Sequence, residues 1–172
     1  MFALGLLILR LVVGLTLAAH GAQKLFGWFG GSGIAGWTTA MTRMRIRPAA
    51  AWAWISALAE LLGGLGLAIG FLNPLPSLAI AASMLVAIAL IHGPKGFFNT
   101  KGGYEFNLTL IAAVAALALT GPGAISLDAV LGIRFPEPVT LIVLTILTLL
   151  GVGAALFTRT PVSAQETRPQ TT

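Results

Sequence analysis

At 172 residues with a formal net charge of +5, 57% of them hydrophobic and only 9% charged, the chain carries too little charge to clothe a water-soluble domain of its size. Its mean hydropathy of +0.94 points to an integral membrane protein. The absence of cysteine excludes disulfides, thiolate metal sites, iron–sulfur clusters and covalently attached haem, so any redox chemistry needs a bound or borrowed cofactor.

Apolar segments run over approximately 3–25, 49–72, 75–92, 104–120 and 138–157, each near the ~17–25 residues that a helix needs to cross a bilayer. The first is read as a retained span and not as a signal peptide: no Lys or Arg precedes it, Arg10 interrupts it, and no small-residue cleavage site comes after it. At ~100° per residue, Arg10, Val13, Gly14, Leu17, His20, Gly21 and Lys24 share one face of this helix.

The linker from Gly27 to Arg47 places Ile34, Trp37, Met41 and Met44 at helical spacing with Arg43, Arg45 and Arg47 beyond, which predicts a short helix lying in the membrane interface. Gly31-Ser-Gly33-Ile-Ala-Gly36 matches the dinucleotide pattern G-x-G-x-x-G, but no strand precedes it and no βαβ unit can be built around it. The match is therefore read as accidental.

In the second span Ser56, Glu60, Gly63, Gly64, Leu67 and Phe71 form one face, and Gly66 with Gly70 adds a G-x-x-x-G pair of the kind that lets membrane helices approach closely. A charge in hydrocarbon costs several kcal/mol, so Arg10 and Glu60 are each expected to meet a partner or a polar cavity. Two readings are open. Either Arg10 and Glu60 form a buried ion pair that fixes helix register, or they flank a cavity where a polar head group binds or a proton moves.

A second constellation is expected at the other membrane face, where His20 and Lys24 end the first span, His92 ends the third and Glu105 begins the fourth. Each of the four could be an interface residue reaching for water, as Lys24 would be by snorkelling. His20 lies deeper and is better placed for ligand binding or proton transfer. A haem held between His20 and His92, or a metal on His20, His92 and Glu105, has nothing else diagnostic behind it, and no metal site is expected. No Ser/His/Asp triad, P-loop or H-E-x-x-H pattern occurs.

The fourth linker, from Gly121 to Pro138, reads as turn chemistry, with Gly-Pro-Gly ending a helix and Ser126 or Asp128 capping the short turn after it. The stretch from Thr158 to Thr172 is poor in apolar residues and is expected to be a disordered tail after a membrane domain over 1–157. Lys24, Arg43, Arg45, Arg47, Lys95, Lys101, Arg159 and Arg168 fall on one face and Arg134 on the other, which predicts an outside N-terminus and a cytoplasmic C-terminus. With so few basic residues, all near spans, the sequence pI of 10.9 fits attraction to anionic lipid in a bacterial plasma membrane and not nucleic acid.

Leu9-Arg10, Ala19-His20-Gly21-Ala-Gln-Lys24-Leu-Phe26-Gly27, Ala59-Glu60-Leu-Leu-Gly63-Gly64, Gly70, Gly102-Gly103-Tyr104-Glu105, Thr120-Gly121-Pro122-Gly123 and Ser126-Leu127-Asp128 occur in this order on successive elements. Over about residues 4–128 the chain thereby resembles the DoxX family of small bacterial membrane proteins. The resemblance implies an all-α integral membrane protein with a four-helix transmembrane bundle, to which the segment at 138–157 adds a C-terminal transmembrane helix.

The family takes its name from a subunit of a thiosulfate:quinone oxidoreductase. The resemblance thus implies a membrane subunit of a redox complex binding a quinone or similar lipid-soluble molecule, supplied with electrons by a partner protein, and not a self-sufficient enzyme. It makes Arg10, His20, Lys24, Glu60 and Glu105, then Asp128, the preferred site residues, with His92 added from its position. The alternative is a non-catalytic anchor or scaffold, or a carrier for a small solute or proton; either protein could be oligomeric.

Overall fold

The computed structural model describes residues 1–160. The outer part of the expected tail, 161–172, lies outside them. Among the described residues there are seven α-helices in chain order: α1 (Phe2–Phe26), α2 (Gly33–Arg43), α3 (Ala49–Ile69), α4 (Pro74–Ala87), α5 (Glu105–Thr120), α6 (Leu127–Leu131) and α7 (Val139–Phe157). A π-helical turn, Ile88–His92, extends α4. With that extension α4 joins α1, α3 and α7 as the four helices long and apolar enough to cross a membrane, while α5 is a shorter apolar helix of 16 residues.

Helix α1 packs antiparallel against α3, and this is the tightest seam of the bundle. A Cβ added to Gly14 would come within 2.5 Å of the Gly64 carbonyl, and Gly21 and Gly64 are pressed as closely against the Leu61 and Ala18 backbones. The small residues of both helices therefore face one another, and contact between backbones replaces the hydrophobic driving force that lipid removes. Gly66 and Gly70 do not join this seam. Gly66 faces Phe71 and Pro76, while Gly70, in the left-handed region at φ 67°, ends α3 and makes room for the Arg10 side chain.

Helices α4 and α5 complete the bundle. Leu6, Val13, Leu17, Leu67, Ile80, Met84, Leu110, Val114 and Leu117 form its apolar core. Each core helix thus turns one stripe inward and leaves large apolar side chains such as Ile8, Val12, Leu62 and Leu108 exposed for lipid.

Helix α2 forms where the helical spacing predicted it, with its apolar stripe turned to protein. Its stripe of Ile34, Trp37, Met41 and Met44 packs on Ile46, Trp52, Ala53 and Leu90, so the helix caps one end of the bundle. The G-x-G-x-x-G segment leads into α2, and Gly31 there presses on the Gln23 backbone, a packing role that needs no nucleotide.

Helix α7 is the outlier. It touches mainly α4, only Ala155 along it is buried, and its end is tied back to the bundle. The Arg47 N–H donates to the Thr158 carbonyl at 3.2 Å, the Thr160 N–H donates to the Arg45 carbonyl at 2.9 Å, and Ile46 and Arg159 form an isolated antiparallel bridge. Residues 158–160, expected in a disordered tail, are instead pinned in place, because the chain leaving α2 offers free backbone groups for them to satisfy.

Candidate functional site

The polar residues of the spans separate into two clusters at opposite ends of the bundle. Arg10 and Lys24 are 14 positions apart on α1, about 21 Å along a helix, and the apolar core lies between them. This separation leaves Arg10 and Glu60 neither paired with one another nor flanking one cavity, so neither of the two open readings holds for the pair.

At the first end Arg10, 1% exposed, donates from Nη2 to the Ile125 carbonyl and lies against Gly70 and Ser126. Asp128 belongs to the same cluster through Gly70, which Arg10 lies against. The Asp128 carboxylate accepts the Leu72 N–H at 2.8 Å and the Asn73 N–H at 3.0 Å, and its own N–H donates to the Gly70 carbonyl at 3.0 Å. The Asn73 amide reaches across to the Leu117 carbonyl at 2.7 Å, and Ser126 caps α6 by accepting the Ala129 N–H at 3.1 Å. Every one of these bonds ties one loop or helix end to another. Asp128 holds the α3–α4 turn and Arg10 the loop before α6, while Arg10 Nε and Nη1 are buried without a hydrogen-bond partner.

At the other end Glu60, 2% exposed, takes Lys24 as its partner, with Nζ 2.5 Å from Oε1. The Ser83 hydroxyl donates to the same oxygen at 2.6 Å, while Oε2 is buried without a partner. The Lys24 ammonium also sits 4.5 Å over the Trp37 ring, and Trp37 Nε1–H donates to Ser56 Oγ at 2.8 Å. An Arg10–Glu60 pair fails because the antiparallel seam sets Arg10 beside Gly70, and Lys24 is the cation at the depth of Glu60.

This cluster forms one wall of a cavity of about 430 Å³. Its lining is largely apolar, with Leu17, Trp52, Ile55, Met84, Leu90 and Phe106 among the contributors, and Gly151, Val152 and Ala155 of α7 close one flank. The polar groups in it come from different helices: Lys24 and His20 from α1, Trp37 from α2, Ser56 and Glu60 from α3, Ser83 from α4, His92 from the π-turn, and Asn107 from α5. An apolar pocket with a few convergent polar side chains is the ordinary form of a small-molecule site.

The His20 ring lies against Phe106, with centroids 6.2 Å apart and the planes tilted by 55°. His92 Nδ1 is 2.7 Å from the Gly102 carbonyl, and its position on a π-turn is of a kind often found at functional sites. Glu105 is not among the lining residues. Its Oε2 accepts the Asn99 N–H at 3.0 Å and so holds the turn that precedes α5.

Of the expected candidates the structure thus gathers His20, Lys24, Glu60 and His92, and sends Arg10, Asp128 and Glu105 to loop-holding positions. Sequence reasoning missed Ser83 and Asn107, for which a polar residue inside an apolar span is the only signal, and it missed the role of Trp37 and α7 as walls. Among the described residues no three His, Cys, Asp or Glu side chains come together as a metal site.

Fold and site together define a multi-pass helical membrane protein with a mostly apolar cavity set against an intramembrane ion pair. The DoxX family model matches residues 5–93, just over half of the chain, and the protein belongs to the DoxX family. The matched stretch holds α1 to α4 and with them Lys24, Glu60, Ser83 and His92. Searches of curated proteins and of solved structures find no match.

Proposed function

We propose that this protein is the membrane subunit of a redox complex and binds a quinone-class or similar lipid-soluble molecule in the cavity beside Lys24 and Glu60. One observation carries the reading: a buried carboxylate, half of it without a partner, stands in the wall of an otherwise apolar pocket. A bundle that needed only packing would gain nothing from that arrangement, since an ion pair in a dry interior is no better for stability than apolar residues of the same size.

The residues suit such a ligand. The apolar walls take a ring and its hydrocarbon tail, and the Lys24–Glu60–Ser83 group takes the polar head. When bound, the quinone supplies the electron-accepting chemistry. Lys24 orients the Glu60 carboxylate, and Glu60 or His20 exchanges protons with the head group. Electrons come from a partner protein at the basic end of the bundle, and the excess of Lys and Arg there supports a cytoplasmic side for it.

Purification in mild detergent and then lipid extraction tests this directly. Quinone is expected to co-purify in roughly stoichiometric amount, and Glu60→Gln is expected to lower its retention about tenfold, the effect of one lost charge-assisted hydrogen bond, with the helical content unchanged. If quinone never associates with folded wild-type protein, the redox reading is abandoned in favour of a scaffold or carrier.

A further inference from the structure

We infer that the ligand enters the cavity sideways from the bilayer, through a slot between α3 and α7 rimmed by Ile55 and Gly151, and that its hydrocarbon tail runs out through that slot while the head group lies beside Glu60. This inference rests on the ligand-binding reading above and adds the route and the shape of the molecule, a compact polar head on a long apolar tail.

A residue that lines a cavity and is also exposed marks a mouth, and two such sets occur among the described residues. Ile55 of α3 and Gly151 of α7 form one, while His20 of α1, Phe106 of α5 and Asn99 of the turn before α5 form the other. The second mouth is obstructed, since the His20 and Phe106 rings come from its two sides and lie against one another. Its His and Asn also suit water better than a hydrocarbon tail.

The first mouth is open and apolar. Helix α7 walls one flank of the cavity by packing on α4, but it barely touches α3, so a slot is left beside it. A Cβ added to Gly151 would meet nothing within 4 Å, which keeps the rim low where a larger residue would overhang it. Ala59, one turn further along α3, and Val152, next to Gly151, also line the cavity, so the wall behind the rim is apolar too.

Depth places the slot in hydrocarbon. Ile55 lies six residues inside the start of α3 and Gly151 six residues inside the end of α7, about 9 Å in each case. Those two helix ends are held together by the pairing of residues 45–47 with 158–160, so the two rim residues are level. The slot therefore faces acyl chains. A cavity of about 430 Å³ takes a ring and the first part of a tail, and the rest of a long tail needs an exit. A tail left in lipid loses nothing, because lipid is as apolar as the pocket.

The test uses the full chain in lipid nanodiscs and a benzoquinone whose decyl tail carries a photoactivatable diazirine. After illumination and proteolysis, mass spectrometry locates the attachment. Attachment on α3 and α7 around residues 55 and 151, competed away by excess unlabelled decyl benzoquinone, is expected. Competed attachment around residues 20 and 106 instead would overturn the route while leaving the cavity a ligand site.

A kinetic measurement then separates a passage from a mere wall. With the protein immobilised in detergent, decyl benzoquinone is loaded from micelles and washed out with ligand-free micelles. Gly151→Phe is expected to slow loading and release alike, each about tenfold, since a narrowed passage hinders both directions. Rates that fail to slow together would overturn the slot as the passage. If the wild type shows no competed attachment and retains no decyl benzoquinone, the ligand-binding reading falls, and this inference falls with it.

Discussion

Lys24 and Glu60 illustrate how a single contact in a membrane interior sets the meaning of a residue. With Nζ 2.5 Å from Oε1, the pair is shielded by protein on the Glu60 side, at 2% exposure, and partly open on the Lys24 side, at 20%. Removing the cation alone strands a buried carboxylate. Lys24→Met is accordingly expected to destabilise the bundle by about 3 kcal/mol, the lower part of the range for breaking a buried pair, because Lys24 is partly open. Unfolding in mixed micelles measures this, and the double variant Lys24→Met with Glu60→Gln is expected to recover most of the loss, since neither charge is then left alone.

The presence of both charges in the spans was legible in the sequence, as was the argument that neither could be isolated. Their partners were not. Arg10 and Glu60 looked matched because each was the most deeply placed charge on its helix, yet the register of α1 on α3 is decided by which glycines meet. Gly14 against Gly64, and Arg10 against Gly70, leave Lys24 for Glu60. Asp128, more than fifty residues downstream of Gly70, joins the Arg10 cluster only because α6 folds back over the α3–α4 turn.

At the scale of elements, the α1–α3 seam and α7 stand at opposite extremes. The seam tolerates no added bulk, because the atoms facing Gly64 are backbone and cannot swing away. Gly64→Leu is expected to separate the two helices and abolish the folded bundle, seen as loss of a monodisperse peak in detergent. Helix α7 has no such constraint on its outer side, where a Cβ added to Gly153 would meet nothing within 4 Å. Its inner side is different: Ala155 is buried and lines the cavity, so Ala155→Phe is expected to fill that flank. Ligand retention should drop about tenfold while the α1–α5 bundle keeps its melting temperature, a combination that a generally destabilising substitution would not give.

The fifth apolar segment was visible as a span from length and composition alone, but its function as a cavity wall was not. That role comes from contact with α4 and from the pairing of residues 158–160 with 45–47, which involves backbone groups that carry no sequence signature. Helix α2 shows the same limit. Its apolar stripe was correctly placed at helical spacing, but a stripe does not say whether lipid or protein covers it.

Across the whole molecule the two polar clusters lie at opposite ends with an apolar core between them. Charge asymmetry in the sequence predicts that the Lys24 end faces the cytoplasm. Because the chain has no cysteine, the assignment can be checked cleanly with Thr100→Cys and Ala124→Cys, both exposed positions, the first at the Lys24 end and the second at the Arg10 end. An impermeant thiol reagent on intact cells is expected to label residue 124 at once and residue 100 only after permeabilisation; the reverse pattern would invert the orientation.

The sequence by itself determined the environment and the parts: apolar segments of membrane-spanning length, the small residues that pack them, and a handful of ionisable groups too costly to leave alone. These stem from composition and from the ~3.6-residue helical period, which are local properties of the chain. Only the tertiary structure decided which charges meet, that Arg10 and Asp128 hold loops while Lys24 and Glu60 face a cavity, and that α7 closes its side. Such pairings depend on helix register and on contacts between residues far apart in the chain, and a shift of one turn, about 5.4 Å, would have exchanged one set of partners for another.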